Sequence, residues 1–179
     1  MVDVETGCFT VAVFQDATWA GNGLNALKAG GFSPAMLTVI GKETAEVGAL
    51  IEQTLGSPGD RLELATVGTV LARGSLVEVL QGSAGDLAKL GLAGTMRKVG
   101  FQPHDGRIFE TLTGRGGILV AVRSEPRAAD ALAILHSYGG GTRPLAHGRD
   151  ACRAQQTRST HFPTCKRNRT LRKICVIPL

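Results

Sequence analysis

The chain has 179 residues, of which 43% are hydrophobic and only 4% aromatic. This length suits a single domain with its own core, and the hydrophobic content excludes disorder along the whole chain. The net charge is +5, but seven Lys and Arg residues lie beyond Asp150 and no Asp or Glu does. The rest of the chain is therefore mildly acidic, and any attraction to nucleic acid or anionic membrane is confined to the last residues.

The residues at the start of the chain bear on its location. Met1–Glu5 has neither a basic nor an apolar region of the kind that opens a signal peptide. No uninterrupted apolar run approaches the roughly 20 residues that a membrane helix needs. The sequence thus predicts a cytoplasmic, reduced protein without disulfides and without a transmembrane segment.

The first elements form a strand, a helix and a second strand. Phe9–Phe14 is an apolar run that predicts a strand. Asp16 is placed to cap a helix, which Gly30 and Gly31 end. Met36–Ile40 is predicted to be the second strand, so this part of the chain reads as a βαβ unit.

The middle of the chain is the least decided part. Thr44 caps a short helix, and 62–82 is predicted as a strand through Leu71 followed by a short helix. Ser83 and Asp86 resemble a capping box that opens the next helix. Pro103–Gly106 is predicted as a loop, and Ile108–Leu112 as helical or extended. The helix after Ser83 should bury Leu87, Leu90 and Met96.

The segment 117–140 predicts a second strand–helix unit. Ile118–Val122 suits a strand covered on both faces. Ser124 is placed to cap the following helix, Pro126 lies in its first turn, and Gly139-Gly140 end it. Residues 142–147 are a candidate last strand.

These two units resemble each other along the chain. TVAVFQDATWAGNGLNALKAGG and LVAVRSEPRAADALAILHSYGG match strand to strand and helix to helix. Two βαβ halves of this size predict an α+β fold, a ferredoxin-like sandwich, with a helical Gly-rich insertion at about 44–112. We expect one domain over 1–148 and a basic tail over 149–179 that is loosely ordered or not native.

Several segments are similar to a bacterial family. These are AVF-x-D before a helix ending in AGGF, then VIG, ARGSL and KVGF, and finally GGILVAVRSE…ADALAILHSYGG. Over about residues 9–147 the chain resembles the heat-induced, 17M-like general stress proteins. The resemblance implies their fold and an association with stress, and it carries over no functional residues. Some relatives have a Gly-rich middle typical of a membrane hairpin, which Arg73, Glu78 and Asp86 interrupt here.

Candidate ligand-binding residues follow from the expected sheet. If the first and third strands of the ferredoxin-like core are parallel central neighbours, the loops that follow them meet at one end of the sheet. Asp16, Thr18, Ser124 and Arg127 are the polar residues of those loops. Helix capping is the competing explanation for Asp16 and Ser124, and it is the one we favour.

For three other motifs, a structural explanation is favoured over a binding or catalytic role. Gly21-x-Gly23 with Ala26 spells a dinucleotide fingerprint, but it lies too far beyond the strand to meet a pyrophosphate. The glycine-rich stretch 114–117 is an anion nest or, as we favour, a turn before a strand. His104 beside Asp105 is typical of a general base with its carboxylate, yet in this Pro/Gly segment we expect a solvated loop.

The basic tail leaves alternatives open. Cys152, His161, Cys165 and Cys175 are residue types that zinc accepts, but their spacing fits no compact zinc motif. We favour a non-native or poorly ordered extension. The alternative is a genuine arm that binds nucleic acid through phosphates, although Phe162 is its only aromatic residue.

The sequence supports a binding function better than an enzymatic one. No nucleophile–base pair, metal cluster or phosphate loop reaches a usable spacing, so we predict neither cofactor nor metal. We expect a non-enzymatic, stress-associated module that binds a partner or itself, since sheet edges and the apolar middle favour self-association. The alternatives are a small-molecule sensor that uses the paired strand–helix loops and, with less support, an enzyme of unknown class.

Overall fold

A computed structural model describes residues 9–82, 85–98, 101–124 and 126–144. Its strands are β1 (Phe9–Phe14), β2 (Leu37–Lys42), β3 (Asp60–Leu64), β4 (Gly68–Gly74), β5 (Ile118–Arg123) and β6 (Gly141–Pro144). Its helices are α1 (Ala17–Ala29), α2 (Ala45–Leu55), α3 (Ser75–Gln81), α4 (Asp86–Lys98), α5 (Pro103–Gly114) and α6 (Ala128–Ser137), and a 3-10 turn spans Pro34–Met36.

The six strands form one sheet in the order β3-β4-β2-β5-β1-β6, and all neighbouring strands are antiparallel. The four strands β2-β5-β1-β6 come from the units β1-α1-β2 and β5-α6-β6. This order and these directions are those of a ferredoxin-like α+β sandwich, so the predicted fold class is confirmed.

The direction of the two central strands corrects the sequence prediction. β1 and β5 are neighbours, but they run antiparallel, with Phe9 opposite Arg123 and Phe14 opposite Ile118. Two βαβ halves related by an approximate two-fold axis through the sheet necessarily place their first strands in opposite directions. The loops that follow β1 and β5 therefore lie at opposite ends of the sheet.

The insertion does more than pack beside the sheet. Its β3–β4 hairpin pairs with β2 and extends the sheet by two strands, where the sequence had predicted one strand. Helix α2 joins α1 and α6 on one face, and α3, α4 and α5 cover the other face. The sheet is thus enclosed on both sides, and the insertion supplies the second helical layer.

Alternation along the strands sends side chains into two separate cores. On one face the core is built with α1, α2 and α6, and it includes Ala12, Phe14, Val39, Val120, Leu24, Leu27, Ile51 and Leu135. On the other face it is built with α3, α4 and α5, and it includes Val11, Val13, Ile40, Leu119, Leu76, Leu87, Met96 and Phe109. The apolar middle of the sequence is therefore buried against the sheet.

Two predicted helix starts are confirmed and two local predictions are wrong. Asp16 Oδ1 accepts a hydrogen bond from the Trp19 amide at 2.9 Å, and Thr44 Oγ1 accepts one from Val47 at 3.2 Å. Helix α4 is broken at Gly91, where φ is +71°, so Leu90 lies 46% exposed instead of facing the core. The predicted loop 103–106 is the first turn of α5, since a proline at its first position needs no hydrogen-bond acceptor.

Three further sequence predictions are compared with the described residues: the membrane segment, the last strand and the basic tail. Among its helices, none is both long enough and apolar enough to cross a membrane. The last strand, predicted over 142–147, is observed as β6 at Gly141–Pro144. The predicted cap Ser83 and the whole basic tail lie outside the described residues.

Candidate functional site

The four predicted ligand-binding residues do not form one site. Asp16 and Thr18 follow β1, at the end of the sheet where β5 begins. Ser124 and Arg127 follow β5, at the end where β1 begins. The prediction of a shared site rested on parallel central strands, and the observed antiparallel pairing separates the two loops.

Asp16 and Ser124 have structural partners, whereas Thr18 does not show one among the described residues. Asp16 caps α1, as its bond to the Trp19 amide shows. The Ser124 hydroxyl lies 2.8 Å from the Thr10 hydroxyl inside the protein, joining the end of β5 to β1. The prediction that Ser124 caps the next helix is wrong, because α6 begins at Ala128 and its N-cap position is Arg127. Thr18 lies exposed on α1, and the structure gives it no hydrogen bond through its side chain among the described residues.

Arg127 ties the two halves of the fold together. Its Nη1 donates to the carbonyl oxygen of Gly30 at 2.8 Å, and its Nε donates to Asp130 at 2.9 Å. Its guanidinium carbon lies 4.9 Å from the centre of the Phe32 ring, at the distance of a cation–π contact. The arginine thus stabilises the end of α1 against the start of α6, and its charge is already engaged.

The other sequence motifs also lie in ordinary structural positions. Gly21 and Gly23 lie inside α1, so they form no phosphate loop. The stretch 114–117 is the turn between α5 and β5, with Gly116 at φ +100°. His104 is exposed in the first turn of α5, whereas Asp105 beside it is buried.

A depression with polar and charged side chains in its wall lies at the sheet end that also holds Ser124 and Arg127. We call it the sheet-end pocket, and its volume is about 400 Å³. Strand β2 begins and β4 ends there, with Thr38 opposite Gly74. The pocket reaches from the end of α2 in one helical layer to the start of α3 in the other. Its walls are Pro34, Ala35, Leu55, Ser57, Arg73, Gly74, Ser75 and Glu78.

The turn from β4 into α3 shapes this pocket. Gly74 adopts φ +120°, and a Cβ there would lie 2.2 Å from the carbonyl oxygen of Leu37. Only glycine therefore fits between β2 and α3. The buried Thr38 hydroxyl accepts from the Leu76 amide at 2.9 Å, so a side chain of β2 caps this helix. The β4–α3 turn is consequently held rigidly against the sheet.

The pocket wall includes Ser75, whose hydroxyl oxygen is a buried polar atom. The hydroxyl oxygen of Ser75 is buried, and no group of the described residues hydrogen-bonds to it. A buried hydroxyl without a hydrogen bond destabilises a protein by about 1–3 kcal/mol. This oxygen is also closed off from solvent, so a ligand in the pocket would reach it only after rotation about the Cα–Cβ bond of Ser75 turns the hydroxyl into the pocket.

Two charged side chains line the same pocket. Arg73 is held by a 3.0 Å hydrogen bond from its Nη1 to Asp60 Oδ2, and its side chain is 43% exposed. Glu78 is exposed on α3. No ion pair joins Arg73 and Glu78 among the described residues. The pocket wall therefore presents a cation and an anion that are both accessible to a ligand.

A second surface is apolar and lies on α5. Leu112 is 38% exposed and Ile108 half-buried, and they line a shallow groove of about 270 Å³ with His104, Arg107 and Thr111. Glu110, on the opposite flank of α5, accepts from Ala93 of α4 at 2.8 Å. Helical geometry thus turns the Ile108–Leu112 flank away from α4. We call this surface the α5 flank.

Sequence reasoning missed the sheet-end pocket because three distant segments build it. The turn at 57–60 and the glycine in ARGSL were both visible as local signals. Their meeting depends on β4 pairing with β2, and the sequence did not predict the β3–β4 hairpin. The available signal was a glycine followed by a serine at a strand–helix junction.

The search for metal-binding clusters among the described residues and the comparisons with known proteins both gave negative results. The described residues contain no cluster of three or more His, Cys, Asp or Glu side chains that could hold a metal ion. The candidate zinc residues of the tail lie outside them. Comparisons of the chain with family models, with curated proteins and with solved structures gave no match.

Proposed function

We propose that this protein is a non-enzymatic binding module that holds a small polar molecule in the sheet-end pocket. The observation that carries the proposal is that Ser75 lines this pocket and that its buried hydroxyl has no hydrogen-bond partner among the described residues. A volume of about 400 Å³ falls in the range of small-molecule sites. The stress-associated role implied by the resemblance to general stress proteins belongs to this proposal.

The composition of the wall supports binding over catalysis. Two hydroxyls, those of Ser57 and Ser75, line the pocket, but no histidine, lysine or cysteine lies beside them in its wall. A serine is a weak nucleophile unless an adjacent base activates it. The pocket thus has groups that orient a ligand, and Glu78, the carboxylate of its wall, makes no hydrogen bond to the Ser75 hydroxyl that would activate it. The small-molecule sensor that the sequence suggested is thus retained, with its site in the sheet-end pocket instead of the paired strand–helix loops.

The test uses two variants that remove matched hydroxyls. Ser75 and Thr113 each have a buried hydroxyl without a partner among the described residues, but only Ser75 lines the pocket. Ser75→Ala and Thr113→Val should both leave stability unchanged or raise it, since each removes an unsatisfied polar group. Only Ser75→Ala should lose ligand binding.

The readout is the melting temperature of the full chain with and without small-molecule probes. The probes are free amino acids, betaine, short carboxylic acids, amines, sugars and inorganic phosphate at millimolar concentration. We expect at least one probe to raise the melting temperature of the wild type and of Thr113→Val but not of Ser75→Ala. A probe that stabilises all three proteins equally would show that the site lies elsewhere.

Self-association is a second candidate, favoured by the apolar α5 flank. The observed sheet edges give it less support than expected. The β3 edge carries charged residues, with Arg61 paired to Glu43 at 3.0 Å, and β6 is short and ends in a proline. Charge, brevity and proline are features that oppose edge-to-edge pairing. Leu112 on the α5 flank is therefore the residue we expect at a contact between two copies.

Light scattering after gel filtration tests this second candidate. Leu112→Glu should convert an oligomer of the full chain to a monomer, because a charge opposes burial in an apolar contact. Leu90→Glu is the matched control, since Leu90 is also exposed but lies on α4. A wild type that is monomeric at high micromolar concentration would exclude self-association. We retain a cytoplasmic location as a prediction, to be tested by cell fractionation.

A further inference from the structure

We infer that the ligand of the sheet-end pocket is a small zwitterion that carries one carboxylate and one ammonium group. Free α-amino acids are the simplest members of this class. The inference rests on the proposed function, and it adds the chemical class of the ligand. It follows from the charges and hydroxyls that share the pocket wall.

Arg73 provides the anion-binding side of the pocket. Its Nη1 is bound to Asp60, which fixes the direction of the guanidinium. A guanidinium has five N–H donors in a planar fork, so this single bond leaves donors for a carboxylate. With a side chain 43% exposed, Arg73 can bind a ligand without breaking its ion pair.

Glu78 provides the cation-binding side. It lies one helical turn beyond Ser75 on α3, and positions i and i+3 of a helix share a face. The carboxylate has no ion-pair partner among the described residues. With the Ser75 hydroxyl turned into the pocket, an ammonium group between it and Glu78 would donate to both side chains.

The balance of charge argues against a ligand with one sign of charge. A phosphate or dicarboxylate would be attracted by Arg73 but repelled by Glu78, and a diamine would face the reverse. A zwitterion matches both side chains at once. The apolar walls at Pro34, Ala35 and Leu55 leave room for a short aliphatic side chain.

Isothermal titration of the full chain with matched probes tests the charge requirement. L-alanine is compared with propionate and ethylamine, and L-leucine with isocaproate and isoamylamine, so that each analogue lacks one charged group. We expect each amino acid to bind at least about tenfold more tightly than its two analogues, as the loss of one charged hydrogen bond predicts. Equal binding of amino acid and analogue would overturn the inference.

Three variants assign the two charges. Arg73→Gln and Glu78→Gln should each weaken amino-acid binding by about tenfold or more. Asp60→Asn removes the ion pair of Arg73 and leaves the arginine in place, so it should retain most of the binding. Amino-acid binding that survives both Arg73→Gln and Glu78→Gln would contradict the proposed roles.

The outcomes separate this inference from the function on which it rests. If sugars or singly charged probes bind in a Ser75-dependent manner and the amino acids do not, the zwitterion class is wrong and the binding function stands. If no probe binds and the native protein carries no small molecule, both are wrong.

Discussion

The guanidinium of Arg127 donates a 2.8 Å hydrogen bond to the carbonyl oxygen of Gly30, which lies 97 positions earlier in the chain. Gly30 ends α1 and Arg127 precedes α6, so this bond joins the helices of the two βαβ halves. A carbonyl at a helix C-terminus carries a partial negative charge, which a cation stabilises. The residue that the sequence suggested as a ligand-binding group is thus a structural link.

Arg127→Ala should lower the free energy of unfolding by about 1–2 kcal/mol, through the lost hydrogen bond and the lost contact with Phe32. Asp130→Ala removes only an exposed ion pair and should cost about 0.5 kcal/mol or less. Urea denaturation followed by circular dichroism measures both. Equal losses in the two variants would show that the link to Gly30 contributes nothing.

Gly74→Ala should be one of the most damaging substitutions in the chain. Both the positive φ and the 2.2 Å approach to the Leu37 carbonyl exclude a side chain, so we expect a loss of at least about 3 kcal/mol. Gly56 also has a positive φ, but nothing lies within 4 Å of its Cβ position. Gly56→Ala should therefore cost only about 1 kcal/mol. Thermal and urea unfolding would show whether the two substitutions differ as expected.

The two glycines of the apparent dinucleotide fingerprint should respond differently to alanine. A Cβ on Gly23 would lie 2.9 Å from Phe14 Cζ, so Gly23→Ala should cost about 1–3 kcal/mol by overpacking. At Gly21 the nearest atom, Leu50 Cδ1, is 3.3 Å away, and the gain of about 1 kcal/mol in helix propensity should offset this contact. Calorimetric melting temperatures of the two variants test this, and similar shifts would contradict the packing explanation.

Glu110→Ala should destabilise the second part of α4. The Glu110 carboxylate accepts from the Ala93 amide just after the break at Gly91, so it caps the helix that restarts there. Loss of such a cap costs about 1 kcal/mol. Glu52→Ala, an exposed position on α2, should change stability by no more than about 0.5 kcal/mol. Hydrogen exchange of the α4 amides provides the local readout, and unchanged protection in Glu110→Ala would refute the capping role.

Local signals predicted the parts of this fold that local chemistry determines. Asp16 and Thr44 cap helices because their short side chains reach amides three residues ahead. The repeated strand–helix pattern predicted the two βαβ halves, and the sheet order confirms the ferredoxin-like core. These features depend on neighbours within a few residues or on a repeat visible along the chain.

Features that depend on contacts between residues far apart in the sequence were not predicted. The direction of β1 against β5 follows from the relation between the two halves, which periodicity does not encode. The β3–β4 hairpin turns at 65–67 without a strong turn signal, and its pairing with β2 brings Arg73 and Ser75 to the pocket. The candidate site therefore lies away from the predicted loops, because the strand directions and the β3–β4 hairpin decide which segments meet.

Native mass spectrometry of the full chain, purified gently from the cells that make it, tests the central claim most directly. The wild type is compared with Ala35→Phe, which fills the sheet-end pocket, and with Ala49→Phe, which places the same side chain at an exposed position on α2. We predict one small molecule per chain on the wild type and on Ala49→Phe, and none on Ala35→Phe. A bare wild-type chain, or a bound mass that Ala35→Phe retains, would contradict the account.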